Sequence, residues 1–160
     1  MSRNILVTLL IIVFATVLIN NAWICVDAFI GMRVVDNFVK GYGLRYNIIE
    51  RVNPCTSILW VFVMSSVYYF THEGFYTILF LQIILSVLAL IIYSKINPQA
   101  AYIGVTVLIL SKAFVDYSTS GLENPLGSLL LAIFFYIYFK KPDKIFLLSL
   151  TSSLQRKQYK

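Results

Sequence analysis

The sequence predicts an all-α protein, a multi-pass transmembrane helical bundle, on three observations. Of its 160 residues, 59% are hydrophobic and 12% charged, about half the roughly 25% charged fraction of a soluble domain. Mean hydropathy is +0.82. Five apolar stretches, 4–24, 57–70, 75–94, 100–118 and 125–139, are separated by short polar segments, and most approach the ~20 residues that a helix needs to cross the hydrocarbon layer. The net charge of +6 does not indicate nucleic-acid binding. Eight of the thirteen Lys and Arg flank apolar stretches, where they set membrane orientation, and no basic patch interleaves with aromatics.

The first stretch follows Met1-Ser2-Arg3, a charged start like that of a signal peptide. Its length, and the lack of a small-x-small site in the INNAW segment, favour an uncleaved helix. The second stretch, SILWVFVMSSVYYF, has only about fourteen residues, short of a span. If it crosses, Lys95 falls on the outer side together with Lys140, Lys141 and Lys144. If it lies in the interface, Arg3, Lys95, Lys140, Lys141, Lys144, Arg156, Lys157 and Lys160 are all cytoplasmic, and Asp27, Asp36, Glu50, Glu73 and Glu123 all face outward. The second arrangement obeys the positive-inside rule.

The expectation is therefore one transmembrane domain over 1–160 with about four crossings, two juxtamembrane helices and a cytoplasmic amino terminus. A first outer loop spans 23–74 and a second 119–124. Asn124 caps the last crossing, with Pro125 in its first turn, where a missing N–H costs nothing. Residues 145–154 start like a fifth span.

The first outer loop concentrates polarity. Between Val26 and Trp60 lie three of the seven acids and four of the thirteen bases. Ala28–Lys40 reads as an amphipathic helix, with Gly31, Val34, Val35 and Phe38 on one side and Arg33, Asp36, Asn37 and Lys40 on the other. It would lie on the membrane surface, with Asp27 at its N-cap and Gly41 just past its end.

Each charged residue has a plain structural reading beside the functional one. Asp27 serves as a cap or as a site acid. Arg33 with Asp36, and Glu50 with Arg51, read as surface ion pairs or as binding groups. Lys112 and Asp116, four apart, neutralise each other or mark a polar site at membrane depth. His72 is a lone histidine at a boundary. Glu123, in SGLENP, has no adjacent base. Cys25 and Cys55 are the only cysteines. No Cys/His cluster suggests structural zinc, and the two are either inert thiols or a disulfide in one loop.

Two carboxylates from separate loops, with arginines between them, thus converge on one face. Such a set suits transfer from a lipid-phosphate carrier, in which a base accepts the proton of an attacking hydroxyl and cations neutralise the leaving phosphate. It equally suits coordination of a solute by a binding or transport element.

The strings Asp27-Ala28-Phe29-Ile30-x-x-Arg33-Val34-Val35-Asp36-Asn37-Phe38, Gly41-Tyr42-Gly43-Leu44, Tyr46-Asn47, Glu50-Arg51-Val52, Thr56, Leu59-Trp60 and Ser120-Gly121-Leu122-Glu123-Asn124-Pro125-Leu126 resemble the multi-pass, polyprenyl-phosphate-dependent glycosyltransferases of the GT-C type. The bacterial terminal arabinofuranosyltransferases are the branch most alike. The resemblance covers essentially the whole chain and the amino-terminal third of such an enzyme.

It implies a protein of the bacterial inner membrane, with its site on the outer face. The donor would be a polyprenyl-phosphate-linked sugar and the acceptor a glycan or lipid-linked glycan, among membrane lipid and without nucleic acid. It implies Asp27 as catalytic base and Glu123 as second site acid, positioning the acceptor or sharing a divalent metal ion. Arg33 and Arg51 would hold the phosphate, with Asp36, Asn37, Glu50, Lys112 and Asn124 as further binding residues. The pattern departs from the family at Val26, where a second acid is usual, at Ile49 and at Pro54-Cys55. The alternative expectation is a non-catalytic membrane protein that binds lipid-linked sugar without turnover.

Overall fold

The computed structural model describes residues 3–50, 52 and 55–140. The described chain is all-helical: α1 Arg3–Asn20, α2 Val26–Val39, α3 Ile58–Thr71, α4 Phe75–Ile96, α5 Ala101–Leu110, α6 Lys112–Tyr117 and α7 Asn124–Lys140, with no strands among the described residues. The expected fifth span, and the cluster beyond Lys140, lie outside the described residues, as does Arg51.

Among the described residues only α4 is long and apolar enough to cross a membrane by itself, at 22 residues, or about 33 Å at 1.5 Å per residue. α1, α3, α5 and α7 are apolar but shorter in their described lengths. The stretch 100–118, expected as one crossing, is two helices. Ser111 leaves the helical region at φ −74°, ψ 105° and caps α6, its Oγ accepting from Phe114 N–H at 3.4 Å. A serine whose hydroxyl competes for backbone donors supplies the break.

The helices form a bundle with two distinguishable ends. At one end Asn4 and Val7 of α1, Ser94 of α4, and Pro98 and Ala101 before and in α5 line one hollow. At the other end Trp23 Nε1 donates to the Asp116 carbonyl (2.9 Å) and Gln82 Nε2 to the Leu122 carbonyl (2.6 Å). Further along α4, Tyr93 Oη donates to the Ser128 carbonyl of α7 at 3.2 Å, so α4 and α7 descend side by side from the same end. α1 and α5 run the opposite way and pack on α4 around Phe14, Leu18, Leu90 and Val105.

α3 has both its ends at the Trp23 end of the bundle. Its first turn shares a cavity with Asp27 and Glu123, and Thr71 in its last turn meets Thr77 of α4, hydroxyl to hydroxyl, at 2.7 Å. This helix of 14 residues lies across that end, packed on α2 and on the start of α4. Ser57 caps it by accepting from Trp60 N–H, and His72 ends it in the left-handed conformation at φ 51°. His72, a candidate on composition alone, thus occupies a helix C-cap. Glu73, just ahead of α4, satisfies the opposite kind of helix end, its two carboxylate oxygens accepting from Phe75 N–H (3.1 Å) and Tyr76 N–H (2.8 Å).

The amphipathic helix begins earlier than its periodicity implies. α2 starts at Val26, with Cys25 in the N-cap position, so Asp27 is not the cap and sits inside the first turn. Its polar face is also narrower than expected. Asn37 is buried on the core side with Val34 and Val35, and both its amide hydrogens are used, donating to the Arg45 (3.0 Å) and Tyr46 (2.9 Å) carbonyls. α7 likewise starts at Asn124 itself. The Glu123 carbonyl before it accepts from Gly127 N–H at 2.9 Å, so the N-cap position falls on Glu123 rather than Asn124.

Candidate functional site

Four segments, far apart in sequence, enclose a cavity of about 400 Å3 at the Trp23 end of the bundle. The first turns of α2 contribute Asp27, Ala28 and Gly31. The approach to α3 contributes Cys55, Thr56 and Ser57, and α3 itself Trp60, Val61 and Met64. α4 adds Ile78, and the turn before α7 adds Gly121, Leu122 and Glu123. The walls are apolar and the charged groups are two carboxylates.

Asp27 is exposed and makes no side-chain hydrogen bond among the described residues. Glu123 is half-buried and faces Cys55, whose thiol is pushed up from its usual value by burial and then by the Glu123 charge. The pair singled out from loop position therefore lines one cavity.

The turn that carries Glu123 is unusual for a loop in being buried. Ser118, Thr119, Ser120 and Gly121 are all buried, a setting in which every backbone polar group needs a partner. The partners come from three other segments. The Ser120 carbonyl accepts from Cys25 N–H at 2.9 Å. The Gly121 carbonyl accepts from the Trp60 indole at 3.3 Å, and its N–H donates to Gln82 Oε1 at 2.8 Å. Gly121 itself is required: φ is +88°, and a Cβ would collide with the Ala28 side chain.

The other sequence candidates among the described residues lie outside the cavity lining. Arg33 is exposed, with its guanidinium 4.7 Å from the centre of the Tyr46 ring. Asp36 pairs with Lys40 at 2.6 Å and accepts from Tyr68 Oη at 2.8 Å. The Lys40 ammonium and the Tyr68 hydroxyl hold its carboxyl below the usual range against the opposing effect of burial. Burial, then the Asp36 carboxylate, pushes the Tyr68 phenol up. Asn37 braces the 41–46 loop. Glu50 is exposed and meets Asn47 Nδ2 at 3.5 Å. Lys112 pairs with Asp116 at 2.5 Å on the outside of α6, the neutralising reading of that pair. Asn124 is exposed at the start of α7. Cys25 and Cys55 are both thiols, each packed at the edge of the same apolar core.

No group of three or more His, Cys, Asp or Glu side chains among the described residues is placed to hold a metal ion.

Sequence reading missed Gln82, Trp60, Thr56 and Ser57 as parts of the site. Gln82 had a signal: it is a lone amide in the apolar run FLQIIL, and a polar side chain in such a helix either finds a partner or marks a site. Thr56 and Trp60 stood in the motif strings that carry the resemblance but were given no role, because an aromatic at helical spacing is ordinarily core.

The fold and site define an all-helical protein with a two-carboxylate cavity, walled by apolar side chains, at one end of a bundle. Comparison with protein-family models, with curated proteins and with solved structures finds no match to this chain.

Proposed function

We propose that the protein is a membrane glycosyltransferase, or the portion of one that carries the base, moving a sugar from a polyprenyl phosphate to a glycan hydroxyl. The observation that carries the reading is that Asp27 and Glu123 line one cavity with Trp60 between apolar walls. Two further features support it. The motif strings in both loops resemble those of the polyprenyl-phosphate-dependent enzymes, and the loops that hold the two acids belong to the same end of the bundle.

In the proposed reaction the acceptor hydroxyl gives its proton to the Asp27 carboxylate as its oxygen attacks the anomeric carbon. The bond from that carbon to the phosphate oxygen breaks, and the phosphate leaves with the electron pair. Glu123 accepts a hydrogen bond from a second hydroxyl and so orients the acceptor. The indole face of Trp60 gives a sugar ring an apolar wall. Arg51 and Arg33, nearby in sequence, are the proposed phosphate partners.

The membrane arrangement is part of the proposal. α1, α4, the broken α5–α6 pair and α7 cross, α2 and α3 lie at the outer surface, and the 97–100 turn with its neighbour Lys95 is cytoplasmic. The bacterial inner membrane is the proposed location.

The test is transfer by the purified chain in lipid, supplied with a polyprenyl-phosphoryl pentofuranose and a glycan acceptor. Asp27→Ala is expected to lower transfer by about 10²–10⁴-fold, the usual range for a general base, and Glu123→Ala to lower it as well, with expression retained in both. Transfer unchanged in both variants overturns the assignment. A second reading, binding of lipid-linked sugar without turnover, is favoured by Val26, exposed beside Asp27 where the resembling enzymes carry another acid. Donor binding that needs Asp27 and Glu123 but yields no product selects it.

A further inference from the structure

The carboxylate of Glu123 has its direction set by a residue in another helix. Gln82 is fully buried at the second turn of α4. Its side-chain amide spans Gly121 and Leu122, accepting from Gly121 N–H at 2.8 Å and donating to the Leu122 carbonyl at 2.6 Å. One amide thus satisfies a donor and an acceptor on two successive residues of a buried turn. The Trp60 indole takes the Gly121 carbonyl from the opposite side, at 3.3 Å. Ala28 and Ile24 close against the glycine where a Cβ would be. With Gly121 and Leu122 held by both side chains, the next residue, Glu123, lines the cavity.

We infer that Gln82 is the positioning residue for Glu123, a latch on the long helix that holds the 120–123 turn so that its carboxylate faces the cavity. As an assignment within a transfer site it rests on the function proposed above; the latch itself rests on the hydrogen bonds alone.

Cys55 supplies a readout independent of any reaction. Its thiol is pushed up by burial and by the Glu123 charge, so turning Glu123 away leaves more thiolate at a given pH and faster alkylation. The chain has two cysteines, and in a Cys25→Ser background iodoacetamide reports on Cys55 alone. Near neutral pH, Glu123→Gln is expected to raise its alkylation rate about two- to fivefold.

Gln82→Leu, which removes the amide and keeps the bulk, is expected to raise it over the same range with helical content retained. The double variant is expected to show no further rise over Glu123→Gln. A wild-type rate in Gln82→Leu overturns the latch. So does a rise that adds to that of Glu123→Gln, because the substitution then exposes the thiol rather than moving the carboxylate. A wild-type rate in Glu123→Gln overturns it too, since Glu123 then does not face Cys55. If Gln82→Leu fails to fold, Trp60→Phe carries the test: it removes the opposing donor, and the same rise is expected while a wild-type rate overturns the latch. A chain that passes and transfers no sugar contradicts the proposed reaction and leaves the latch standing. A chain that transfers sugar but fails the thiol test contradicts the latch alone.

Discussion

At the scale of single residues, acids of one kind have been put to different uses by their surroundings. Asp27 and Glu123 face a cavity, whereas Asp36, Glu73 and Asp116 are committed to Lys40 and Tyr68, to the start of α4, and to Lys112. Asp36 gives a pH prediction with a definite sign. Its folded-state pKa lies below the ordinary value of 3.8, chiefly through Lys40. The stabilisation it adds is therefore present above that value and lost as pH falls through the folded pKa. Thermal unfolding of wild type and Asp36→Asn should differ at pH 7 and converge once the pH has fallen below the lowered folded-state value. The gap is expected to be no more than about 1 kcal/mol, because the pair is partly solvated. A gap that persists at the acid end would show that the carboxylate charge is not its source.

At the scale of elements, the Ser118–Glu123 turn decides whether a site exists. Gly121→Ala puts a Cβ against Ala28 at a positive φ, and is expected to cost about 2–4 kcal/mol from overpacking and backbone strain together. Unfolding in detergent measures this, and a loss under 0.5 kcal/mol would mean that the turn is not packed as described. Elements were legible from sequence where hydrophobic periodicity and length act alone. α4 falls where its apolar run lies, and α3 within a residue of 57–70. They were misread where capping at a helix end overrides the pattern. Ser111 divides 100–118, and a backbone start at Cys25 displaces Asp27 from the cap it would otherwise fill. Nothing in the 3.6-residue period encodes either choice.

At the scale of the whole molecule, counting Lys and Arg gave the expectation that the short Trp60-containing helix does not traverse. The structure supplies the coarser fact that both ends of α3 lie at one end of the bundle. The convergence of the two acids followed from that. The lining was not legible, because Gln82, Trp60 and Gly121 meet only through contacts across 39 and 61 residues of sequence. Reconstituted in vesicles with Cys25 and Cys55 changed to Ser, the chain should admit an impermeant thiol reagent to cysteines placed at the exposed positions Tyr42 and Asn124 from one face and at Gln99 from the other. Labelling of all three from one face would contradict the proposed crossings.

The central claim is that Asp27 and Glu123 belong to one cavity. In a chain with Cys25 and Cys55 changed to Ser, Asp27→Cys and Glu123→Cys together should be joined within the monomer by a short bifunctional thiol reagent. Each single variant should remain uncrosslinked. Ready labelling of both cysteines by a monofunctional reagent, with no intramolecular link at any reagent length up to the width of the cavity, would contradict the account.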